Sequence, residues 1–104
     1  MAELPQAVAD HLDEIRELCA TNHVLRLSFL DDPYARVPNF VADFEPHPDA
    51  LVRGQRFHAV WSGLFDIVGD NNLTTPAMIE EDRNPFRQAS LPKHDIYAAE
   101  RRSA

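Results

Sequence analysis

The segment from Val24 to Pro46 constrains the fold of this chain more than any other, because it holds two short extended runs separated by a turn-forming stretch. Val24-Leu25-Arg26-Leu27-Ser28-Phe29 alternates, with Leu25, Leu27 and Phe29 on one face and Arg26 and Ser28 on the other, the period of two that a strand requires. Asn39-Phe40-Val41-Ala42-Asp43-Phe44 is a second strand candidate, rich in aromatic and β-branched residues and closed by Glu45-Pro46. The connection from Asp31 to Pro38 is built for turning: Asp bonds its own backbone and Pro fixes φ. Loops of this kind between buried strands are where a sheet protein places its chemistry.

Helices flank this unit. Pro5 suits a first helical turn, and Val8, Leu12, Ile15, Leu18 and Cys19 recur at spacings of three and four, giving an apolar stripe that Asn22, tolerant of the left-handed region, is expected to end. Cys19 on that stripe reads as a small core residue, because no basic side chain stands beside it in sequence to activate a thiolate. Asp49 is placed to cap a second helix whose face is marked by Ala50, Gly54, Phe57, Trp61 and Leu64. Gly54 weakens that helix, and its small size is read as room for a neighbouring backbone. Phe65-Asp66-Ile67-Val68 is expected to be a third strand, and Thr75-Pro76 and Asn84-Pro85 to start short C-terminal helices, with Ile96-Tyr97-Ala98-Ala99 as a final apolar turn. Leu25, Leu27, Phe29, Val41, Phe44, Phe57, Trp61, Phe65 and Ile67 are expected to share one core, with Leu12, Ile15 and Leu18 packed onto it. The order of elements predicts a small α/β or α+β domain, helices packed on a mixed sheet of three to four strands, with residues 1–104 forming a single domain.

Charge and composition narrow the function. A chain of 104 residues with 44% hydrophobic content can build one core, burying about 65% of the surface its unfolded form exposes. A net charge of −7 opposes binding to a phosphate backbone, so nucleic acid is not an expected partner. No apolar run approaches the roughly 20 residues that span a bilayer, and no charged stretch followed by an apolar one opens the sequence, so a cytoplasmic protein with neither membrane span nor secretory signal is expected. A single cysteine forms no internal disulfide. His11, His23, His47, His58 and His94 show no metal-ligand spacing.

The order of elements, Asp43-Phe44-Glu45-Pro46, Phe65-Asp66-Ile67-Val68, and Arg83-Asn84-Pro85-Phe86-Arg87 leading to Ile96-Tyr97-Ala98 together resemble the minimal nucleotidyltransferases of the DNA polymerase β superfamily. The resemblance runs from the first helix to Ala99 and implies a nucleotidyltransferase-like fold. In that family a Gly-Ser turn after the first strand cradles a triphosphate, and an Asp-x-Asp pair on the next strand and a third Asp on a later one hold two divalent ions for in-line transfer. Here the Asp-x-Asp positions fall on Val37 and Asn39, the Gly-Ser turn falls on Asp31-Asp32 or Asp32-Pro33, and Asp66 alone occupies a matching carboxylate position. One carboxylate does not hold two magnesium ions.

The resemblance therefore implies an inactive nucleotidyltransferase homologue that acts by binding a protein, as an antitoxin-like partner of a basic, helical HEPN-type ribonuclease, with no cofactor expected. The alternative is a living nucleotidyltransferase in which Asp43 and Glu45, at i and i+2, join Asp66 as a displaced triad, with magnesium and a nucleoside triphosphate as its cofactors. Under the first reading Asp31, Asp32 and Asp66 present a negative field toward a basic partner, and Tyr34 or Tyr97 supplies an aromatic anchor or else finishes the core.

Overall fold

The computed structural model describes residues 4, 6–31, 39–69, 76–80 and 92–99. Within them the order is α1 (Gln6–Ala9), α2 (Leu12–Thr21), β1 (Val24–Leu30), β2 (Asn39–Phe44), α3 (Ala50–Val68), β3 (Ala77–Glu80) and β4 (Lys93–Ala98). The strands form one mixed sheet in the order β3-β2-β1-β4. β1 pairs antiparallel with both β2 and β4, while β2 and β3 are parallel. Parallel neighbours need a crossover connection, and α3 supplies it. The result is a small α+β domain with helices packed on a four-stranded mixed sheet. No described helix is long and apolar enough to cross a membrane.

The helical stripe of α1 and α2 is broken where the sequence gives no Pro or Gly signal. Asp10 and His11 form a turn between the two, held by Asp10 N–H donating to the Gln6 carbonyl and His11 N–H to that of Val8, so that Val8 as well as Ile15 and Cys19 is fully buried. At the far end of α2 it is His23, not Asn22, that takes the left-handed conformation, with φ of 64°. Asn22 stays at φ −121° and spends its side-chain amide on the Leu18 carbonyl at 2.8 Å. Asn and His both tolerate that region, so composition did not decide between neighbours.

The core lies between the helices and one face of the sheet. Val8, Ile15, Cys19, Val60, Leu64 and Val68 from the helices meet Val24, Leu27, Phe29, Phe40, Ala42, Met78 and Ile96 from the strands. Phe29 and Phe40, opposite each other in the register, pack edge to face with ring centres 6.0 Å apart. The expected alternation fails at one point: a bulge between Val24 and Arg26 brings Val24 to the inner face and leaves Leu25 half-buried. Val41 is buried with Leu30, yet neither belongs to the helix-side cluster. Together with Ser28 they occupy alternate positions on the opposite face, so the centre of the sheet is buried on both sides. Phe44, Phe57, Trp61, Ile67 and the helical Leu12 and Leu18 pack against the cluster while only partly buried.

Three expected elements are different in kind. Phe65-Asp66-Ile67-Val68 is the end of the 19-residue α3 rather than a strand. Its spacing explains this: Val60, Leu64 and Val68 repeat every four residues and keep one face buried, which outweighs the local strand preference of four residues. Ala77–Glu80, expected to be helical after Pro76, is β3, and Ile96-Tyr97-Ala98 belongs to β4. Both are set by pairing with strands distant in sequence. The helix expected at Asn84-Pro85 and the loop Asp32–Pro38 lie outside the described residues.

α3 begins as the sequence suggests. Asp49 accepts from Leu51 N–H at 2.9 Å in an extended N-cap conformation, and its own N–H donates to His47 Nδ1 at 3.0 Å. The close approach of the two long helices occurs at Gly63 rather than Gly54. A Cβ on Gly63 would lie 2.5 and 2.6 Å from the two Leu18 methyls, whereas one on Gly54 would meet nothing within 4 Å.

Candidate functional site

The carboxylates singled out by sequence end up at opposite ends of the domain. Asp43 is half-buried on β2, opposite Arg26 in the register, and Glu45 lies just beyond the strand. Both line a cavity of about 220 Å³ with Arg53, Arg56 and Glu80, where β2 and β3 end and α3 begins. Asp66 is exposed near the other end of α3, 13 residues beyond Arg53 and so about 20 Å along the axis at 1.5 Å per residue. Asp43, Glu45 and Asp66 therefore do not assemble as a triad. Among the described residues no group of three or more His, Cys, Asp or Glu side chains could hold a metal ion.

Glu45 has another occupation. Its Oε2 lies 2.7 Å from His23 Nδ1, both side chains half-exposed, and Glu45 N–H donates to the His23 carbonyl at 2.9 Å. The left-handed turn after α2 thus carries His23 across to the end of β2 and ties the two together. Arg53, one turn into α3, donates to the His47 carbonyl, which fixes the stiff Glu45–Pro48 connection against the helix.

A second polar cluster, missed in sequence, lies on the face of the sheet away from the helices. Arg26 donates to Asp95 in bidentate fashion, Nε to Oδ1 at 3.1 Å and Nη2 to Oδ2 at 3.3 Å, and the buried Ser28 hydroxyl donates to Asp95 Oδ1 at 2.8 Å. Hydrogen bonds from Arg26 and Ser28, with the nearby positive charges of Arg26 and Lys93, hold the Asp95 carboxyl below its ordinary range. Arg26 and Ser28 are legible as the outward face of β1, but their partner is not, because Lys93-His94-Asp95 shows no strand alternation in the sequence. A bulge in β4 opposite Leu27 and Ser28 also frees the Ile96 carbonyl, which accepts from Arg16 Nε of α2 at 3.0 Å. These contacts cross-link β1, β4 and α2; every group is committed to a neighbour.

The third feature is apolar. Gly54 and Phe57 of α3 with Met78, Ile79 and Glu80 of β3 line a groove of about 360 Å³. Leu51, 69% exposed, stands one turn before Gly54 on the same helix. Further along, Trp61 donates its indole N–H to the Pro76 carbonyl at 2.8 Å and packs beside Phe65 with ring centres 5.8 Å apart. This aromatic edge pins the start of β3 to α3.

Of the residues expected to face a partner, Asp31 is half-buried at the end of β1, with its N–H donating to the Pro92 carbonyl. The antiparallel register and the return of α3 put Asp31 and Asp66 at the same end of the sheet. Tyr97 is partly buried and packs on the core, so it finishes the core rather than standing free as an anchor. Asp32 and Tyr34 lie outside the described residues. Cys19 is fully buried, and burial pushes its thiol up to about 12, as befits a core residue.

Three comparisons with known proteins give no relative: no family model matches the chain, and no curated protein and no solved structure matches it.

Proposed function

We propose that this chain acts by binding a protein and carries out no nucleotidyl transfer of its own. The observation that carries the reading is the separation of Asp66 from Asp43 and Glu45 by most of the length of α3. Two-metal transfer needs carboxylates that converge on ions roughly 4 Å apart, and a rigid helix between them prevents it. With Asp66 helical, the one carboxylate position that the resemblance to minimal nucleotidyltransferases matched no longer stands on a strand. A partner with excess positive charge suits the net charge of −7, which would speed its encounter more than it would strengthen the final complex. The resemblance makes a basic, helical HEPN-type ribonuclease the first partner class to try.

Calorimetric titration of the chain with magnesium and each nucleoside triphosphate tests the reading, and no binding is expected in the micromolar range. Micromolar binding that is abolished by Asp66→Asn or Asp43→Asn would overturn it.

A further inference from the structure

We draw no further inference here: the strongest candidate, the cavity of about 220 Å³ where β2 and β3 end and α3 begins, sets Arg53 and Arg56 among Asp43, Glu45 and Glu80, but the three carboxylates and Arg53 already have partners and nothing in the structure shows what fills it.

Discussion

The same substitution at two glycines of α3 should stabilise the fold at Gly54 and bring no gain at Gly63. Both Gly54 and Gly63 lie in the helix interior, where Gly costs about 0.8–1 kcal/mol relative to Ala. At Gly54 the added methyl meets nothing within 4 Å, so Gly54→Ala should retain that whole gain. At Gly63 the methyl would stand 2.5 and 2.6 Å from the Leu18 methyls and 3.1 Å from its Cγ, against a normal carbon contact of about 3.5–4 Å. Turning the two methyls alone does not clear the Cγ, so Leu18 must change χ1 or the helices must part. Overpacking of this kind costs about 1–3 kcal/mol, which cancels or exceeds the propensity gain. Gly63→Ala is therefore expected to fall between neutral and about 2 kcal/mol destabilising. The two variants should differ by about 1–3 kcal/mol in urea unfolding, read as a change in midpoint at constant slope. Adding Leu18→Ala to Gly63→Ala should recover the propensity gain, giving a coupling of about 0.5–3 kcal/mol between the two sites. If both glycine variants stabilise equally, α2 and α3 do not meet at Gly63.

Three further outcomes follow from single groups. Cys19, its thiol raised to about 12 by burial, should resist an aromatic disulfide reagent in the native state and react as one fast thiol beyond the urea midpoint; prompt native labelling would place it outside the core. Asp95 has a folded pKa below its unfolded value of about 3.9, so its contribution is complete above that value and disappears as pH falls through the folded one. Being half-exposed, the pair with Arg26 contributes at most about 1 kcal/mol, and the stability gap between the native chain and Asp95→Asn should close in acid; a gap independent of pH refutes the assignment. Asp66 lies in the last turn of α3, where the unpaired carbonyls disfavour a negative charge and no basic residue compensates, so Asp66→Lys should raise the unfolding free energy by about 0.3–1 kcal/mol; a loss would reveal a favourable contact for the carboxylate.

What the sequence determined by itself is what short-range chemistry controls. The apolar stripe of α2, the alternation of β1, the bounds of β2 and the Asp49 cap of α3 depend on neighbours within a few residues, and each is found where periodicity or capping placed it, β1 running one residue further. The class of fold followed, because two strands between amphipathic helices leave few ways to bury both. Tertiary structure decided the rest. Residues 65–68 look like a strand over four positions and are helical because Val60, Leu64 and Val68 must cover the core together. β3 spans only four residues and β4, as long as β2, opens on Lys-His-Asp without apolar alternation; both exist because β2 and β1 offer them edges. The same distant pairing brings Asp95 to Arg26 and Ser28, and leaves Asp66 far from Asp43. Side-chain identity fixes which groups are available, but only the chain's path through the sheet fixes which of them meet, because those contacts join positions as much as 80 residues apart.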